Sequence, residues 1–174
     1  MNQQTVHKFW STYCESEGID PTSDYDSWAF GEGYPMANEI LERVMSGKKT
    51  SKTGLIREHE LKEWRIPVKG DKVVVLDQEE EPRCIIEFLE VEHMKFWEMK
   101  DLDYIKKDCL GFETLESWRK CQWGFYFQVL ASYGEEFHKD MKIFCSKIKV
   151  IYTPKVNCKL ISPSKYKKSH SESE

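Results

Sequence analysis

Two apolar runs, Lys72-Val73-Val74-Val75-Leu76 and Arg83-Cys84-Ile85-Ile86-Glu87-Phe88-Leu89-Glu90-Val91, stand on either side of an acidic turn, Asp77 to Pro82. Runs of this length rich in β-branched residues, introduced by Gly70-Asp71 and joined over a polar turn, predict two adjacent strands of a hairpin. A further strand is expected over Lys142 to Tyr152, where Ile143, Cys145, Ile148 and Val150 alternate imperfectly. The other periodic stretches are helical. Val6, Phe9, Trp10 and Tyr13 recur at three- and four-residue spacing before Gly18, and Met36, Ile40, Leu41 and Val44 do so between Pro35 and Ser46. Leu115, Trp118, Gln122, Phe125 and Val129 mark a third helix, Thr114 to Tyr133, closed by Gly134. No βαβ unit repeats, so the chain reads as α+β, with a small, largely antiparallel sheet or barrel and flanking helices.

A chain of 174 residues with 40% hydrophobic side chains is one domain with enough apolar surface for a core. It has no run of eighteen apolar residues, and Met1-Asn2-Gln3-Gln4 leads into polar sequence, which predicts a cytoplasmic protein with neither a membrane span nor a secretory leader. The six cysteines are spread singly without CxxC pairs or zinc-ligand spacing, so they read as reduced thiols and no metal or cofactor is expected. A net charge of -4 argues against a general polyanion binder, because nonspecific affinity for nucleic acid grows with the phosphates that Lys and Arg neutralise. Any such role falls to local basicity. Two clusters qualify: Lys48, Lys49, Lys52 and Arg57, and the terminal Lys155, Lys159, Lys165, Lys167 and Lys168.

The first cluster lies in Gly47-Lys48-Lys49-Thr50-Ser51-Lys52-Thr53, where a glycine-terminated helix meets an extended segment. It is not a phosphate-binding P-loop, since GxxxxGK[ST] spacing is missing and the order is helix then strand. In a pocket beside other ammonium groups Lys49 would be a general base near neutral pH, with a neighbouring hydroxyl as nucleophile; a solvated turn has the same composition. The loop Asp20 to Gly33, rich in Asp, Ser, Pro and Gly, carries Trp28 and Phe30. These rings either stack on a base or pin the loop to the core. Asn38 and Glu39 open the helix that ends at the lysine turn, where either reads a base edge or Glu39 complements the helix dipole. Arg119 pairs with a phosphate, with Glu116 or with an acidic loop. Trp118, Trp123, Phe125, Tyr126 and Phe127 read as core, and the five histidines receive no role.

Taken together, Trp28-Ala29-Phe30-Gly31, Ala37-Asn38-Glu39-Ile40, Gly47-Lys48-Lys49-Thr50, Gly70-Asp71, Pro82-Arg83-Cys84-Ile85-Ile86 and Ser117-Trp118-Arg119 resemble the ASCH domain family, in its larger bacterial-type branch, from about Ser27 to Tyr152. The resemblance implies a PUA-like fold, a small β-barrel with flanking helices, whose cleft binds RNA or a nucleotide-like ligand. It divides the chain into an N-terminal helix and loop (1–26), the ASCH domain (27–152) and a basic, partly disordered tail (153–174). Some relatives are hydrolases, among them an amidohydrolase of N4-acetylcytidine and a ribonuclease. The amidohydrolase pattern implies a lysine in the GxKT turn, a threonine three residues later and a glutamate in the later helical region. Lys49 matches the lysine, but three residues on stands Lys52, with Thr50 and Thr53 close by. Where relatives carry the acidic stretch, this chain reads Lys107-Asp108-Cys109-Leu110-Gly111, with Asp108 and Glu113 the nearest acids.

The first functional reading is therefore recognition of RNA or a modified nucleoside by Lys48, Lys49, Lys52, Thr53, Gly47 and the Trp28 to Gly31 loop, with Asn38, Glu39 and Arg119 as further ligand contacts. Its rival is an amidohydrolase using Lys49 with Thr50 or Thr53. A protein-interaction module with a vestigial cleft is the third.

Overall fold

Alternation along β3 (Lys72–Leu76) sends Val73 and Val75 to one face of the sheet and Val74 and Leu76 to the other, and all four are buried. A strand covered on both faces needs a layer on each. In the computed structural model, which describes residues 3–31, 37–108 and 112–154, those layers are helices. α1 (Gln3–Glu17) lays Val6, Trp10, Tyr13 and Cys14 against Val74, Leu76 and Ile85. α2 (Ala37–Met45) lays Leu41 and Val44 against Val73, Val75, Ile86 and Phe88. Burying each large apolar side chain contributes about 1.5–3 kcal/mol, which makes these two layers the main support of the sheet centre.

The sheet has five strands in the order β1-β3-β4-β5-β2, where β1 is Asp26–Ala29, β2 Ser51–Leu55, β4 Pro82–Lys95 and β5 Lys142–Tyr152. β1 pairs with β3 in parallel and every other pairing is antiparallel. β4 serves both halves, with register shifts between Ile85 and Ile86 and between Phe88 and Glu90. Such bulges bend a strand and sharpen its twist. The result is a curled half-barrel whose two edge strands, β1 and β2, come near each other across an open seam, as the reach of Lys52 on β2 to the Trp28 ring on β1 records.

The far end is closed by α4 (Leu102–Asp108) and α5 (Leu115–Ala131), which with the short 3-10 turn Phe96–Glu98 bury Phe96, Tyr104, Ile105, Trp118, Tyr126 and Leu130 against Leu55, Ile143 and Cys145. α3 (Ile56–Leu61) follows β2 directly. Thr114 caps α5 by accepting the Ser117 amide.

The hairpin, the strand over Lys142–Tyr152 and the helices at 3–17 and 115–131 agree with the sequence reading. Four elements depart from it. The stretch read as a loop, Asp20 to Gly33, contains β1, because Trp28 and its neighbours pair along β3. β4 runs on to Lys95, since β5 supplies partners for its polar second half. α3 and α4 are too short to show helical periodicity. Of the α5 aromatics read as core, Trp118 and Tyr126 are buried, but Trp123 and Phe127 are 37% and 51% exposed. Pro35 and Met36, read as the start of the second helix, and the terminal lysines lie outside the described residues, as do Cys109, Leu110 and Gly111. Among the described residues no helix is long and apolar enough to cross a membrane.

Candidate functional site

Gly47 adopts φ +71° after α2, a conformation that costs a residue with a Cβ, and so ends the helix. The chain reverses there, with the Lys49 amide donating to the Arg43 carbonyl at 2.9 Å, and enters β2. Lys48 is left exposed at the turn, while Lys49 is 7% exposed. Its ammonium donates to the Ser51 carbonyl at 2.8 Å and pairs with the Asp108 carboxylate at 3.2 Å, and it lies 5.8 Å from the Phe30 ring. The sequence reading set Lys49 among like charges; instead its ammonium is bonded to an opposite one, because α4 delivers Asp108 to that point.

Asp108, the last residue of α4, is 2% exposed and is surrounded by donors. Besides Lys49, its Oδ1 accepts the Thr53 amide at 3.0 Å. Its Oδ2 accepts the Thr53 hydroxyl at 2.7 Å and the Trp118 indole N–H at 3.1 Å. A carboxylate offers about four lone-pair positions, and four donors occupy them. One turn earlier on the same helix face, Tyr104 donates to the Lys52 carbonyl at 2.7 Å and accepts the Ser146 amide at 3.1 Å, with its oxygen 3.2 Å from the Thr53 hydroxyl. Burial, with the Asp108 charge second, drives the Tyr104 phenol far above its ordinary pKa, so it stays a neutral donor.

Thr53 and Lys52 point to opposite faces of β2, as alternation requires. Thr53 faces α4, and Lys52 faces the inside of the half-barrel, its ammonium 5.4 Å from the Trp28 ring and 5.0 Å from the Phe144 ring. Trp28 on β1 and Phe30, in the turn that follows it, meet edge to face at 4.8 Å. Asp26, two residues before Trp28, pairs with Arg65 at 2.8 Å. Asp26 and Trp28, on one face of β1, and Phe30, just beyond its end, thus each meet a cation: Asp26 with Arg65, Trp28 with Lys52 and Phe30 with Lys49. Across the seam, aromatic faces and cations hold the edges where backbone hydrogen bonds would close a full barrel.

The remaining expected site residues fall at different distances from this centre. Thr50 joins the lysine turn to the rest through its backbone, donating to the Lys107 carbonyl and accepting the Ile148 amide. Gly31, at φ +60°, lies where a Cβ would come 3.3 Å from Ile40. Asn38 and Glu39 are exposed on the first turn of α2, Asn38 reaching Gln78 at 3.5 Å. Arg119 is engaged elsewhere: it donates to the Met99 carbonyl at 2.7 Å and stacks on Trp97 at 4.6 Å. Glu113, the other acid considered, is exposed. Tyr104, Phe144 and Ser146 were not singled out by the sequence, and no local motif marks them, since each joins the site only through strand pairing or helix docking. Among the described residues no group of three or more His, Cys, Asp or Glu is arranged to hold a metal.

A mixed five-stranded half-barrel with helices on both faces, its seam lined by lysines and aromatics, defines the class as an α+β protein of PUA-like fold. The sequence profile of the ASCH domain matches residues 26–152, and the chain belongs to that family. An ASCH domain crystal structure from Lactobacillus crispatus superimposes with a TM-score of 0.75 at 22% identity, covering 86% of this chain and 95% of that one. A crystal structure of a protein from Enterococcus faecalis matches with a TM-score of 0.77 at 27% identity, covering 86% of this chain and 89% of that one. No curated protein matches the chain in sequence. RNA binding is the general proposal for ASCH domains.

Proposed function

We propose that the seam between β1 and β2 binds single-stranded RNA or a nucleotide-like or modified-nucleoside ligand, with Lys52 meeting phosphate and Trp28 offering its face to a base. The observation that carries this reading is the position of the Lys52 ammonium over two aromatic rings at an unpaired edge of the sheet. Aromatic faces that stack bases, next to cations that follow the backbone, are the usual equipment for single-stranded RNA. The Lys49–Asp108 pair fixes the turn that leads into β2, the strand from which Lys52 projects. Lys52→Ala is expected to weaken binding of a labelled oligouridylate to a similar degree for any sequence and to reduce the slope of log affinity against log salt by about one. An unchanged slope, measured by fluorescence anisotropy at stepped salt, would remove Lys52 from the phosphate path.

A second reading rests on the 2.7 Å hydrogen bond from the Thr53 hydroxyl to Asp108, with Lys49 on the other carboxylate oxygen. In an amidohydrolase of N4-acylated cytidine, Thr53 Oγ1 attacks the acyl carbon as its proton passes to Asp108. The cytosine amine leaves with a proton, and water releases the acyl group. Binding ranks first because all four acceptor positions of Asp108 are filled by structural donors and the pair is nearly excluded from solvent. Incubation with N4-acetylcytidine, followed by chromatography, separates the two. Turnover abolished in both Lys49→Ala and Thr53→Ala would establish the hydrolase; no turnover by the native chain removes it.

A further inference from the structure

Beyond the seam, the interior rings continue outward to a tryptophan that no core packing explains. Phe144, under Lys52, meets the His59 ring at 5.0 Å, edge to face, and His59 meets Trp64 at 5.6 Å in the same manner. Trp64 is 48% exposed and carries the Lys62 ammonium 4.2 Å from its ring centroid. Lys62 is held there by Glu58 at 2.8 Å, and His59 by the Arg65 carbonyl at 3.1 Å. From Trp28 through Lys52, Phe144, His59 and Trp64 to Lys62, aromatic rings and cations adjoin without a break. The segment bearing Trp64 is fastened beside the seam, because Arg65 bridges Asp26 at the start of β1 and Asp71.

Resting on the seam as an RNA-binding cleft, we propose that Trp64 is a second stacking platform, which takes a base of the same single strand one or more nucleotides beyond the base at Trp28. A large exposed aromatic, steadied by a cation against one side and fixed by its neighbours, offers stacking area at little cost in ordering. The charges around it specify how it acts. Glu58 neutralises Lys62, Asp26 and Asp71 neutralise Arg65, and the exposed Glu60 and Glu63 lie close in sequence. This end of the track holds a base by stacking and contributes little to phosphate neutralisation. It therefore adds affinity that salt does not screen, unlike the Lys52 end.

The experiment compares uridine monophosphate with an eight-nucleotide oligouridylate on the full chain by anisotropy competition at several salt concentrations. Trp64→Ala is expected to weaken the oligonucleotide about 5- to 150-fold, the range for one stacked base. Its salt slope and the affinity for the mononucleotide stay unchanged, and Trp64→Phe restores most of the loss. Oligonucleotide binding unaffected by Trp64→Ala overturns the second platform while leaving the cleft standing. So does an equal loss for the mononucleotide, which would mark a structural role for Trp64. Failure of the native chain to bind either ligand overturns the cleft and the platform together.

Discussion

Asp108→Ala is expected to destabilise the protein by about 3–5 kcal/mol, because it leaves the Lys49 ammonium buried without its counter-charge. It also strands the Thr53 amide and the Trp118 indole N–H, which no water can easily reach. Asp108→Asn is a milder test of the same geometry. The carboxamide has one acceptor oxygen, so whichever way it lies, its NH2 group faces either the Thr53 amide and Lys49 or the Trp118 N–H. A cost of about 1–3 kcal/mol is expected for it. Adding Lys49→Met to Asp108→Asn should be less harmful than the sum of the single changes, since the second substitution removes the charge that the first exposes. Urea denaturation of Asp108→Ala, Asp108→Asn, Lys49→Met and the double variant measures this. Additive losses, or a loss below about 1 kcal/mol for Asp108→Ala, would show that the pair does not anchor α4 to β2.

Gly54→Ala is expected to cost about 1–3 kcal/mol by overpacking. Gly54 faces Phe144 across the β2–β5 ladder, and a Cβ there would fall 2.3 Å from two atoms of that ring. The ring has little freedom to move, being fully buried, with His59 at its face or edge and the Lys52 ammonium 5.0 Å from its centroid. Phe144→Leu in the Gly54→Ala background should recover part of the loss by vacating the contested space. Because Phe144 is also the floor under Lys52, Gly54→Ala should weaken the RNA binding proposed for the seam more than its stability cost at ambient temperature explains. Wild-type stability in Gly54→Ala would mean that the strand pair relaxes without strain, and the glycine would then owe its place to something else.

The binding proposed for Lys52 and the catalysis of the second reading at Thr53 are separable by experiment because the two side chains leave β2 on opposite faces. Lys52 looks into the half-barrel and Thr53 toward α4. Substitutions at one face should leave the chemistry of the other intact, apart from shared effects of the Tyr104 and Ser146 bonds to the Lys52 carbonyl.

What the sequence determined by itself was the local layer. Apolar periodicity located α1, α5, the β3–β4 hairpin and β5, because each is long enough for its side-chain repeat to appear in a single chain. Gly47 ended α2 and placed the lysine turn, since a positive-φ residue is a backbone requirement that composition reveals. The motif set pointed to the ASCH family, and through it to the PUA-like fold. The tertiary structure alone decided which acid Lys49 meets. Asp108 and Glu113 were equal candidates in sequence, and only the docking of α4 on β2, 59 residues away from Lys49 at the paired carboxylate, buries one and leaves the other in solvent. It also decided between Thr50 and Thr53 as partner of that acid, since strand alternation fixes which hydroxyl faces α4 only once the register of β2 on β5 is set. β1 emerged from an apparent loop for the same reason: four residues gain strand character from pairing with β3, and their Trp28 becomes one wall of a seam whose other wall lies 24 residues further along the chain, at Lys52. Short elements and long-range pairings carry too little local signal to be read before the chain has folded around them.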